Sequence, residues 1–243
     1  MVGRIAVFTY GAVAYTLALV TLLYAIGFVG NFIVPRTIDS GVDSGTGAAI
    51  VINAILLGLF AVQHSVMARP AFKKRWTKIV PKPIERSTYV LFTCIILGAL
   101  YWQWRPMKGV IWDVDTAPAR AVITAIYLLG WAIVFYGSFL IDHFDLFGLR
   151  QVVVNLKGSE YKHPPFKMTS LYKLIRHPLM FGLILAFWAA PTMTVGHLMF
   201  AVMCTAYILV GINLEERDLC RFLGEDYRRY RSETPMLVPY KWR

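Results

Sequence analysis

Nothing constrains this chain's fold more than its apolar runs of about 20 residues, the length an α-helix needs to cross a hydrocarbon layer roughly 30 Å thick. They cover residues 5–34, where Pro35 ends the first, then 48–67, 89–104 with an extension back to Glu85, 119–141, 178–190 and 194–212. None alternates apolar and polar residues as a barrel strand would. With 57% hydrophobic and 16% charged residues, the expected fold is all-α. It is a polytopic transmembrane helical bundle of five to six hydrophobic segments. It ends in a helical hairpin and a cytoplasmic amphipathic helix from Glu215 to Arg231. The first run is too long for a signal-peptide core and lacks a small-residue cleavage site, so it reads as a first span. Without repeats or low-complexity tracts, residues 1–243 read as a single integral-membrane domain.

A net charge of +11 could point to nucleic acid, but its distribution points to membrane topology. If the chain crosses six times, only Arg36, Arg105, Lys108 and Arg120 of the 25 Lys and Arg fall on one side. The other side takes the N-terminus, the 68–86 loop, the 142–177 stretch and the tail. Lys and Arg concentrate in cytoplasmic loops, which fixes that side as cytosolic. The basic loop Lys73 to Lys78 therefore reads as topology and headgroup anchoring, with no nucleic-acid partner. Cys94, Cys204 and Cys220 form no CxxC pair and read as buried thiols, with no metal site.

An ionisable residue inside or at the edge of a span is a functional candidate by default. Four groups qualify, all at cytosolic ends: His64; Asp142 with His143; Arg176 with His177; and Glu215 with Glu216. Each also has a plain reading. His64 suits a helix-end histidine bonded to a carbonyl, and Asp142-His143 a helix cap. Arg176 suits one more cytosolic charge, and the acids a solvated helix start. His197, at the far end of the hairpin, reads as interfacial. Pro178 suits a helix's first position, having no N–H to leave unpaired there. The amides of that helix start, beside Arg176 and His177, would attract an anion. A hairpin turning near Pro191 would return Glu215-Glu216 to the same level. Thirteen residues from Pro178 rise only about 20 Å. Either the helix starts upstream near Ser170 and bends, or the hairpin dips in without crossing.

Tyr172-Lys173-Leu174-Ile175-Arg176-His177-Pro178 with Gly182, then Glu215-Glu216-Arg217-Asp218-Leu219 and Phe222 through Tyr230, resemble the paired motif of isoprenylcysteine carboxyl methyltransferases and phospholipid N-methyltransferases. Met180-Phe181 departs from it, where an aromatic then a small residue are common. Gln63 through Pro70, Ile84 through Tyr89, and His143 through Gln151 are similar to a narrower group, the bacterial membrane methanethiol S-methyltransferases, and more loosely to NnrU proteins. The resemblance implies S-adenosylmethionine as methyl donor and S-adenosylhomocysteine as product, bound by residues from about 142 to 243. Tyr172, Arg176, His177, Pro178, Leu179 and Gly182 would form one half of that site. Glu215 or Glu216 would take ribose hydroxyls. Faces of Phe181, Tyr172 and Trp188 would favour a sulfonium.

The implied reaction methylates methanethiol to dimethyl sulfide in a bacterial cytoplasmic membrane, with the site open to the cytosol. A thiol must lose its proton to become the nucleophile. His143, oriented by Asp142 or Asp145, is the first candidate base and His64 the second. Two other readings stand beside this one. The same fold can act on a lipid amine or a prenylcysteine carboxylate. A haem-binding or non-catalytic protein would use His64 and His143 as axial ligands.

Overall fold

The computed structural model describes residues 1–162 and 168–239. In chain order its helices are α1 (Val2–Gly30), α2 (Thr46–Ala68), α3 (Pro70–Trp76), α4 (Lys82–Gln103), α5 (Ala117–Ile141), α6 (His143–Leu146), α7 (Leu149–Leu156), α8 (Pro178–Trp188), α9 (Val195–Leu223) and α10 (Glu225–Glu233). A 3-10 turn, Ser170–Lys173, precedes α8. Strands β1 (Val110–Asp113) and β2 (Thr192–Thr194) pair antiparallel; the sequence reading did not anticipate them.

Helices α1, α2, α4, α5 and α9 are long and apolar enough to cross a membrane. Large apolar side chains stand exposed along them, among them Val20 on α1, Leu59 on α2, Ile95 on α4 and Leu129 on α5. In water such faces would drive association; facing lipid they are the ordinary surface of a spanning helix. The chain is an integral membrane protein.

Punctuation follows local backbone chemistry. Asn31, in the left-handed region at φ 61°, closes α1 and bonds back to Gly27 O. Arg69, before Pro70, is extended, and this separates α2 from α3. Thr194 caps α9 by accepting from His197 N at 3.1 Å. The structure departs from expectation at Glu215. The polarity change there does not end the hairpin's second helix, and α9 runs unbroken to Leu223. Asn213 to Arg217 contain no Gly or Pro, and the first breaker is Gly224 at φ 62°.

The described residues fall into two compact units. One comprises those of Met1–Met107 and Asp142–Pro165, the other those of Lys108–Ile141 and Phe166–Arg243. In the first, α1 packs on α4 and α7, and α2 packs on α4. Asn53, fully buried in α2, donates to Arg105 O at 2.8 Å and accepts from Arg105 N at 2.9 Å, tying α2 to the end of α4. In the second, α8 lies along α5 and α9 returns beside it. A Cβ on Gly130 would sit 2.7 Å from Gly182 O, and one on Gly182 would sit 2.6 Å from Gly130 O. Only glycine at both positions permits that approach.

The question of the short hairpin arm is answered by α8's own neighbours. It does not extend upstream of Pro178. Its eleven residues rise about 16 Å, and Leu179 meets α5 at Gly137. Beyond Trp188 the chain continues as non-helical backbone with a bend at Pro191, until Thr192 meets Arg120, in the first turn of α5, at 3.3 Å. Non-helical backbone at membrane depth survives only when its polar groups are paired within the protein. Here Val114 N bonds Pro191 O, Trp112 Nε1 donates to Ala190 O, and His197 Nε2 donates to Phe187 O at 2.9 Å. His197 is a buried cap for α8's last turn.

Candidate functional site

The N-terminal end of α8 organises the second unit's polar residues. His177 is its N-cap residue, at φ −127° and ψ 62°, and Pro178 its first residue. The first helical rung is Phe181 N to His177 O at 3.0 Å. The amides of Leu179 and Met180 precede that rung and carry the helix's positive end. Leu179 lies against α5 at Gly137 and the backbone of Gly182 lies against it at Gly130.

Glu216, from α9, is buried and meets three basic side chains. Its Oε1 accepts from Arg176 Nε at 2.7 Å and from His177 Nε2 at 3.0 Å, and its Oε2 forms an ion pair with Arg231 Nε at 3.1 Å. The side chains of Arg176 and Glu216 are 9% and 4% exposed, so the charges compensate each other away from water. Arg176 also donates to the carbonyls of Arg231 and Thr234. Its backbone N bonds Pro235 O at 2.9 Å, and His177 N bonds Met236 O at 3.1 Å. Residues 231–236 thus form a strap across the start of α8.

Glu215 is placed differently. Its side chain is 47% exposed, with Oε2 3.9 Å from His177 Nδ1. Tyr172 lies close by: burial first, then the charge of Glu215, pushes its phenol above the ordinary tyrosine value. Burial and the two glutamates do the same to Tyr227. Burial takes Tyr230 up to about 12 against the pull of Arg176, and its hydroxyl donates to Tyr172 O. All three phenols stay neutral donors at physiological pH. A half-exposed carboxylate beside the first turn of a helix suits a ligand with hydroxyls and a carboxylate of its own.

The remaining candidates belong to the first unit. His143 opens α6, is buried, and meets Tyr15 Oη through Nε2 at 3.0 Å. Burial lowers its pKa against the opposing pull of Asp142. Asp142 sits at φ 128°, a strained conformation for a residue with a side chain. Its Oδ1 accepts from Asp145 N at 3.1 Å, capping α6, and its Oδ2 pairs with Arg150. Asp145 accepts from Tyr161 Oη at 2.8 Å. The His143 ring thus meets Tyr15, while the two aspartates hold the turn around it. His64, in α2, has both ring nitrogens within 2.9 Å of Tyr89 Oη, which can bond one of them at a time, and it stacks on Phe60.

The structure thus joins Arg176, His177 and Glu216, with Glu215 and Tyr172 beside them. Sequence reasoning missed Arg231, Tyr15 and Tyr89. A hydroxyl amid the apolar run of α1 was a visible signal for Tyr15. Arg231 gave none, being one base among many in the tail.

No family model and no solved structure matches the chain. Among curated proteins, methanethiol S-methyltransferase 1 of Bradyrhizobium diazoefficiens is 53% identical over 234 residues, 96% of this chain and 82% of its own length. Methanethiol S-methyltransferase of Mycobacterium tuberculosis is 53% identical over 234 residues, 96% of each. Nurim of Mus musculus is 29% identical over 197 residues, 77% of this chain and 74% of its own.

Proposed function

The chain belongs to the methanethiol S-methyltransferase family, and from that premise we propose that it transfers a methyl group from S-adenosylmethionine to methanethiol, giving dimethyl sulfide and S-adenosylhomocysteine. The proposed setting is a bacterial cytoplasmic membrane, with the donor site facing the cytosol, the side favoured by the Lys and Arg distribution. The observation that carries the reading is the meeting of Arg176, His177 and Glu216 across the hairpin.

In this reading the amides of Leu179 and Met180 take the donor's carboxylate. Glu215 accepts from its ribose hydroxyls, and Tyr172 lines the site. Glu216 has both oxygens engaged, so its part is to hold Arg176 and His177 in position. His143 removes the thiol proton, with Asp142 shaping its turn, and His64 is the second candidate for that part. A pKa below the ordinary histidine value keeps His143 neutral, and so able to accept a proton, at pH 7. A bound sulfonium would supply an activated methyl group, which the thiolate would take as the donor's C–S bond breaks and that bond's electron pair stays on the donor's sulfur. The protein's task is alignment and exclusion of water.

The test is titration calorimetry of S-adenosylhomocysteine on the detergent-purified protein, with headspace assay of dimethyl sulfide. The wild type is expected to bind and turn over. Glu215→Ala is expected to weaken binding about tenfold, the worth of one charge-assisted hydrogen bond. A wild type that binds no S-adenosylhomocysteine would overturn the reading.

A further inference from the structure

Five buried side-chain polar atoms have no hydrogen-bond partner among the described residues: Ser44 Oγ, Trp76 Nε1, Glu85 Oε1, Trp131 Nε1 and Gln151 Oε1. Only Trp131 belongs to the unit that carries the Arg176–Glu216 cluster. It is 3% exposed and lies well inside α5, where water is scarce and an orphaned N–H is costly. Six residues along α5, roughly 9 Å by helical rise, lies Gly137, where α8 begins its contact. The indole is held edge-on between Tyr127 and Phe187, both at 6.4 Å between centroids, and Phe187 in turn packs on Phe200 at 5.0 Å. This is an apolar, aromatic setting with one polar handle.

We infer that Trp131 is a specificity-determining residue of the acceptor site, its Nε1–H donating a hydrogen bond to the sulfur of the methyl-accepting thiol. The inference rests on the thiol methyl-transfer reading. Sulfur is a weak acceptor as a thiol and a strong one as a thiolate, so the bond strengthens as the nucleophile forms. In surroundings of low dielectric a single N–H toward an anion counts for more than it would in water. The aromatic neighbours Tyr127 and Phe187 would favour a small apolar acceptor.

Trp131→Phe removes the N–H and keeps an aromatic ring. Its expected effect is a KM for methanethiol raised about three- to tenfold, the range of one hydrogen bond. KM for S-adenosylmethionine and affinity for S-adenosylhomocysteine should be unchanged. Trp131→His, which returns a ring N–H, should recover part of the loss. Independently of any variant that fails to fold, wild-type protein carrying nitrogen-labelled tryptophan should show one indole resonance move on adding methanethiol. A KM for the thiol unchanged in Trp131→Phe, or no indole resonance moving under saturating thiol, would overturn the inference while the methyl-transfer reading stands. Wild-type protein that makes no dimethyl sulfide would remove both.

Discussion

At the scale of single residues, the two adjacent glutamates separate by burial. Glu216→Gln leaves Arg176 and Arg231 facing a neutral amide in a buried place, where breaking an ion pair costs about 3 kcal/mol. Its melting temperature in detergent should fall clearly, and ligand binding with it. Glu215→Gln should keep the melting temperature and lose affinity alone, since that side chain is half-exposed. His143 carries a pH signature. Its folded pKa lies below the unfolded value near 6.5, so the unfolded chain binds more protons in mild acid. The stability it contributes is full above pH 6.5 and is lost as pH falls toward the folded value. Thermal melts in detergent from pH 7.5 to 5 should therefore show a drop that His143→Gln flattens. If His143 is the base, that variant should also lose about a hundredfold or more in dimethyl sulfide formation.

At the scale of elements, glycines divide by what they face. Gly130→Ala drives a methyl group into the backbone of α8 and should cost about 1–3 kcal/mol. Gly58 and Gly98 have open space around them, and alanine there should be neutral or stabilising by up to about 1 kcal/mol. Melting temperatures of the three variants, read side by side, check both statements. Helices α1, α2, α4 and α5 were legible in sequence to within a few residues, apart from the proline-led start of α4, because bilayer thickness sets their length. The start of α8 was legible from Pro178. The continuation of α9 past Ile212 was not, because hydrophobicity was read as a helix boundary where only backbone chemistry sets one. The β1–β2 pair was hidden for the opposite reason: it exists to satisfy the carbonyls and amides that the short α8 leaves open, a tertiary demand with no local pattern. Within the site, the acid and base partners were legible as clusters, but not which glutamate would be buried.

At the scale of the whole molecule, the charge bias assigns sides. A cysteine placed at Lys108 should react with an impermeant maleimide on intact cells, and one placed at Glu225 only after lysis; the reverse pattern would invert the proposed orientation. The strap has a practical corollary. The carbonyls of Arg231 and of Thr234 to Met236 are held by Arg176 and His177, so any fusion appended downstream is leashed within a few residues of the helix end that would receive the donor. A purification tag or reporter there would tug on that anchorage, and preparations carrying the tag at the opposite terminus should be the more active ones.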